Sequence, residues 1–87
     1  MVDGEKRHSR QFMGKGVVSK AGKRYGEVAN LTFEPKTGEI IHLVLKNPTP
    51  YASAIELEKT KEGELLIPFS SVMAIGDFIV IAEEDIL

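Results

Sequence analysis

The side chains able to do chemistry in these 87 residues are few and scattered. There is no cysteine, which excludes disulfide bridges, thiolate metal sites, iron–sulfur clusters and thiol nucleophiles together. Two histidines occur, His8 near the start and His42 between Ile41 and Leu43. Catalysis needs a nucleophile with a base and an orienting group, or a metal with an open position. No such grouping accompanies either histidine, so His42 reads as a surface or interface residue. No phosphate-binding P-loop, HExxH pair or GxSxG elbow is present. Gly14-Lys15-Gly16 lies inside a strand pattern, where it marks a bend rather than the mouth of a helix.

Charged residues cluster more than the histidines do. Glu56, Glu58, Glu62 and Glu64 fall on one expected hairpin. A glycosidase pair or a divalent-cation site would need them in a concave setting, which a filled small barrel lacks, so they read as a solvated face. Glu83-Glu84-Asp85 could chelate a cation weakly, but an acidic stretch of this kind reads first as a wet tail. The cations are the stronger candidate. Lys15, Lys20, Lys23 and Arg24 share one expected hairpin, with Lys6, Arg7 and Arg10 just before it. Residues 1–26 carry seven cations against Asp3 and Glu5, whereas residues 27–87 carry four against eleven carboxylates. The net charge of −2 therefore conceals two regions of opposite sign. A basic patch can grip RNA phosphates. Only Tyr25 stands nearby to stack on a base, and an acidic protein surface is the competing partner.

The elements that must position these groups are strands. Short apolar runs recur about every ten residues, separated by Gly, Pro and Asn, and no run keeps helical spacing. The first strand is expected over residues 11–19, bent at its glycines, with a tight turn at Lys20-Ala21-Gly22-Lys23. The second is Arg24–Phe33, whose apolar set Tyr25, Val28, Leu31 and Phe33 is spaced three, three and two. Such slips of phase predict bulges and coiling. Glu34-Pro35-Lys36-Thr37-Gly38-Glu39 is the clearest turn. The third strand, Ile40–Lys46, is apolar on both faces, with Ile41, Leu43 and Leu45 on one side and Ile40, His42 and Val44 on the other. Asn47-Pro48-Thr49-Pro50 interrupts pairing. Residues 54–59 alternate as a fourth strand, residues 64–67 form the next up to Pro68, and Ser70-Ser71 caps one helical turn. Residues 73–75 and 78–82 close the fold around a turn at Gly76-Asp77.

The two-sided third strand predicts an interface. One apolar set cannot lie inside, and burying Ile40 and Val44 would contribute about 1.5–3 kcal/mol each. Ile40, His42 and Val44, with Tyr51 as an aromatic anchor, are the expected contact with a second copy. The alternative is cover from within the chain, by residues 47–53 or by Ile86-Leu87.

Three segments in order resemble one family. Residues 14–28, running Gly-Lys-Gly-Val-Val-Ser-Lys-Ala-Gly-Lys-Arg-Tyr-Gly-Glu-Val, resemble the opening hairpin of PRC-barrel domains. Phe33-Glu34-Pro35-Lys36-Thr37-Gly38-Glu39-Ile40 is similar to that family's second turn. Leu65-Leu66-Ile67-Pro68-Phe69-Ser70-Ser71-Val72 with Ala74-Ile75-Gly76-Asp77 resembles its closing strands. The resemblance spans residues 12–82, and the stand-alone archaeal members have about this length. It implies a domain that binds other macromolecules and carries no common catalytic motif. The cytoplasmic domain of the photosynthetic reaction-centre H subunit and a small-subunit ribosome maturation factor are members. Some archaeal members are linked to cell division as adaptors for the ring's membrane anchor. The reaction-centre member follows a transmembrane helix and the ribosome factor a further barrel, neither of which this sequence contains.

The expectation is therefore an all-β, small closed antiparallel β-barrel of about six strands with one short helical turn. It would comprise a flexible basic tail over residues 1–10, a barrel over 11–83 and an acidic tail over 84–87. The function expected is a non-enzymatic, homodimeric protein-binding adaptor without cofactor or metal, linked through its family to archaeal cell division. An RNA-processing or ribosome-assembly factor using Lys15, Lys20, Lys23 and Arg24 is the alternative. Residues 1–8 lack the apolar stretch of a signal peptide, and no run approaches the roughly 20 apolar residues that cross a bilayer, so a cytoplasmic location is expected.

Overall fold

The protein is described by a computed structural model over residues 10–86, so most of the expected basic tail at 1–10 lies outside the described residues. Six strands form one sheet: β1 (Gly16–Ser19), β2 (Arg24–Phe33), β3 (Ile40–Lys46), β4 (Leu65–Pro68), β5 (Val72–Ile75) and β6 (Phe78–Ile81). Their order across the sheet is β4-β3-β2-β1-β6-β5.

Local chemistry sets the two long strands and their turns. Gly22 supplies the positive φ of 86° in the β1–β2 turn, where Ser19 Oγ accepts hydrogen bonds from the Ala21 and Lys23 amides. In the β2–β3 turn the Glu34 carboxylate accepts from the Lys36 and Thr37 amides, and Gly38 takes the left-handed position at φ 78°. The phase slips along β2 are bulges. Register shifts between Val28 and Asn30 and between Thr32 and Phe33, so Val28, Leu31 and Phe33 turn to the core despite their spacing. Gly26 sits at φ 152°, and a Cβ there would stand 3.0 Å from the Lys46 carbonyl oxygen and 3.3 Å from Pro48 Cα. Both neighbours are backbone and cannot yield. Gly26→Ala is expected to destabilise the fold by about 2–4 kcal/mol, combining backbone strain with overpacking; urea unfolding followed by circular dichroism measures it.

Two expectations about architecture are corrected. The sheet is mixed, because β1 pairs in parallel with β6, from Gly16 against Phe78 to Ser19 against Ile81. Nor is it closed by hydrogen bonds: β4 and β5 are its two outer strands, and no ladder joins them. They are nevertheless consecutive in the chain, linked only by the 3-10 turn Phe69–Ser71. The short link holds the Pro68 end of β4 near the Val72 end of β5, so the sheet curls around its core while the two edges stay unpaired with each other. Tyr25, Val28, Leu43, Leu45, Ile67, Ile79 and Ile81 fill the space this encloses.

Pro68 ends β4 as expected, pairing opposite His42 as its last residue. Further departures follow from pairing and capping. The interruption after β3 folds into a short helix, α1 (Pro50–Ala54), with the Thr49 hydroxyl accepting from the Ala52 amide and Pro50 in the first turn. Residues 54–59 do not make a regular strand. Ile55 and Leu57 pack on the core as their alternation implies, but ladder pairing is limited to Lys59 opposite Leu65. Around that bridge the Leu66 amide donates to the Glu58 carbonyl and the Thr60 amide to the Glu64 carbonyl, each at 2.8 Å. This segment covers the outer edge of β4.

Candidate interaction surface

Among the described residues no comparable segment covers β5. Its one ladder is with β6; the Val72 amide donates to the Phe69 carbonyl, and the other side of Met73-Ala74-Ile75 is left as a free edge. Met73 is 56% exposed and Ile75 43%, and Phe78 across the hairpin turn is 49% exposed. Gly16 lies under Phe78, where an added Cβ would approach the ring to 3.1 Å, so the bare backbone of β1 seats this aromatic against the sheet. The turn between β5 and β6 is held by Lys15 Nζ, which donates to the Gly76 carbonyl at 2.5 Å. An edge strand ordinarily carries a lysine, a proline or a covering segment that discourages pairing with another chain. β4 has its cover; β5 carries neither charge nor proline. The end of the sheet formed by β5 and β6 is thus apolar in side chains and unpaired in backbone.

A second polar site lies where β2, α1 and the C-terminal segment meet. Tyr25 is fully buried, and its ring meets Tyr51 edge-on at 5.6 Å. Both hydroxyls donate to one oxygen of Glu83, Tyr25 at 2.5 Å and Tyr51 at 2.7 Å. Lys23 Nζ stands 5.6 Å from the centre of the Tyr51 ring. Beside them Lys20 Nζ pairs with Glu84 at 2.6 Å. The two tyrosine hydroxyls hold the Glu83 carboxyl below its usual range, Tyr25 first. Lys20 does the same to Glu84.

The tyrosines shift in the opposite sense: burial first and then Glu83 raise Tyr25 well above the ordinary phenol value, and Glu83 foremost raises Tyr51. A phenol whose folded pKa is raised contributes stability that is complete below its unfolded value, near 10, and is lost as pH rises through the folded value. The sequence has two tyrosines and no tryptophan, so tyrosinate absorbance reports these two groups alone. Ionisation is expected to be delayed beyond the free phenol for both. Glu83→Gln is expected to return Tyr51 most of the way and Tyr25 only in part, because burial still opposes the Tyr25 anion.

The expected site residues are thus redistributed. Ile40 and Val44 are both buried within this chain: Ile40 belongs to the core cluster with Leu43 and Leu45, whereas Val44, on the other face between them, is covered without joining that cluster. For Ile40 the cause is the bulge between Thr32 and Phe33, which skips one residue of β3 and exposes Ile41 instead. Buried as they are, Ile40 and Val44 offer a second copy no exposed apolar pair. His42 is half-buried, its Nδ1 3.0 Å from Thr32 Oγ1 and its Nε2 3.4 Å from Glu58. Tyr51 is exposed, as an anchor should be, but its hydroxyl is engaged by Glu83. Of the basic set, Lys15 and Lys20 are bonded within the chain and Lys23 lies over Tyr51, while Arg24 is exposed. The acidic C-terminal stretch is no wet tail: Glu83–Asp85 forms a 3-10 turn and Ile86 packs on the core.

Glu56 and Glu58 line a groove with Leu57, Leu66, Pro68, Asp85 and Ile86. Among the described residues no three acidic or histidine side chains converge as a metal site would require. No described helix is long and apolar enough to cross a membrane.

Met73, Ile75 and Phe78 were not singled out from sequence. The signal was present: residues 72–81 are apolar on both faces, the same feature that drew attention to β3.

With this geometry in place, comparison with known proteins gives one result. The sequence model of the PRC-barrel domain matches residues 4–85, nearly the whole chain. No curated protein matches the chain.

Proposed function

The chain belongs to the PRC-barrel domain family, and from that premise we propose that it is a non-enzymatic protein-docking module that pairs with a second copy through the free edge of β5. PRC-barrel domains mediate protein interactions. The single observation that carries the reading is the uncharged β5 edge, uncovered among the described residues, with Met73 and Ile75 exposed on it. Two copies meeting antiparallel across a two-fold axis would satisfy the free amides and carbonyls of both edges and bury both apolar ends. Self-association leaves the rest of the surface open to a further protein in the cytoplasm, which is what an adaptor requires. By analogy with stand-alone archaeal members of this length, that protein belongs to the division machinery.

The alternative, an RNA-processing or ribosome-assembly factor, needs the first hairpin's cations free. Their engagement by Gly76, Glu84 and Tyr51 favours protein docking. Sedimentation velocity over a hundredfold range of concentration tests the proposal. A dimer that dissociates on dilution is expected, and a monomer at every concentration would refute the self-pairing.

A further inference from the structure

The C-terminal segment occupies a surface whose chemistry is that of a receptor. Glu83 is held by two tyrosine hydroxyls on elements far apart in sequence, β2 and α1, with the Lys23 ammonium nearby. Glu84 is held by Lys20 on the β1–β2 turn. Three residues after Glu83, Ile86 packs on the core cluster and lines the groove formed with Leu57, Leu66 and Pro68. The chain thus presents two adjacent carboxylate positions and one apolar position, filled by its own Glu83, Glu84 and Ile86.

The contacts to Glu84 are also exchangeable. Lys20 and Glu84 are 52% and 60% exposed in their side chains, and an ion pair that open to water contributes little and is screened by salt.

We infer that this surface is a docking site for an acidic peptide segment of a partner protein, of the pattern Glu-Glu-x-apolar, and that the chain's own residues 83–86 hold it in an autoinhibited state. Charge complementarity selects the occupant: the receiving side offers two ammonium groups and two hydroxyl donors, and the segment now seated there is acidic. A tethered segment competes at an effective concentration of roughly millimolar, so the partner must bring additional contacts or avidity to displace it. The inference adds a partner class to the docking reading but uses a different face from β5, so either can fail alone.

The probe is a fluorescent peptide with the sequence of residues 82–87, Ala-Glu-Glu-Asp-Ile-Leu. Its binding is followed by anisotropy to the full chain and to Glu83→Ala/Glu84→Ala, with circular dichroism confirming the sheet in each. The double variant is expected to bind at least tenfold more tightly than the unmodified chain. That binding should weaken as salt rises, and it should be lost on adding Lys20→Glu or on replacing both peptide glutamates by glutamine. If the double variant loses its sheet, Glu84→Ala alone opens the exposed half of the site, and the same order of affinities is expected with a smaller ratio. No binding to a folded, opened variant would overturn the inference, as would binding indifferent to Lys20→Glu. So would dissociation of the dimer by Glu83→Ala/Glu84→Ala, because the segment would then be exchanged between copies rather than displaced by a partner. The Met73→Lys/Ile75→Lys variant should keep peptide binding, so loss of the dimer and loss of the peptide site are read separately.

Discussion

If the protein pairs through β5 as proposed, lysine at both Met73 and Ile75 is expected to leave it monomeric, weakening association on the order of 100-fold. Two effects combine. Lysine is among the residues that edge strands use to refuse pairing, since its charge would have to leave water. In an antiparallel self-pairing centred on Ala74, residue 73 of one copy also faces residue 75 of the other, so like charges stand opposite one another twice. A hundredfold loss corresponds to about 2.8 kcal/mol, comparable to one interface hot spot. Because both side chains are exposed, stability of the fold should change by no more than about 0.5 kcal/mol. Ile41→Lys is the control. It removes an exposed apolar side chain from β3, 40% exposed and remote in sheet order from β5, and should leave the sedimentation coefficient unchanged.

The second large effect lies in the core. Tyr25→Ala is expected to cost about 3–5 kcal/mol, as truncations of large buried aromatics do, and so to approach the whole stability of a domain of this size. The ring is fully buried, packs edge-on against Tyr51 and sits in the cluster with Val28 and Ile79. Tyr25→Phe keeps that packing and removes the hydroxyl alone. Glu83 retains Tyr51 and water, so the loss should be only about 1 kcal/mol. Chemical denaturation of both variants separates ring from hydroxyl. A Tyr25→Phe loss equal to that of Tyr25→Ala would mean that the clasp on Glu83, and not the packing, makes this residue matter.

How far these features could be read in the sequence depends on how local their causes are. The bounds of β2 and β3 follow from Gly22, Pro35 and Gly38, whose turn chemistry acts within four residues. The bulges of β2 were visible as broken alternation, because a bulge displaces side chains along one strand. Their consequence for β3 was not. Which of Ile40 and Ile41 faces inward is decided by the partner strand's register, and a slip of one residue exchanges the faces. The same blindness hid the parallel pairing of β1 with β6, since alternation reports burial but not the identity or direction of the neighbour. α1 was concealed by its own start signal. Thr49 followed by Pro50 caps a helix as readily as it breaks a strand, and Ala52 becomes buried only once β2 lies beneath it. The clasp at Glu83 was out of reach for a further reason: it joins residues 58 and 32 positions apart, and nothing about a terminal Glu-Glu-Asp indicates two tyrosines waiting for it.

The most direct measurement of the central claim is amide hydrogen exchange at two protein concentrations, one below and one above the dimer midpoint. Pairing through the free edge predicts that the slowing of exchange on association concentrates in β5, from Met73 to Ile75, where an edge amide passes from water to a partner strand. Protection that appeared instead around Ile41 or Tyr51, with β5 exchanging equally fast at both concentrations, would contradict it.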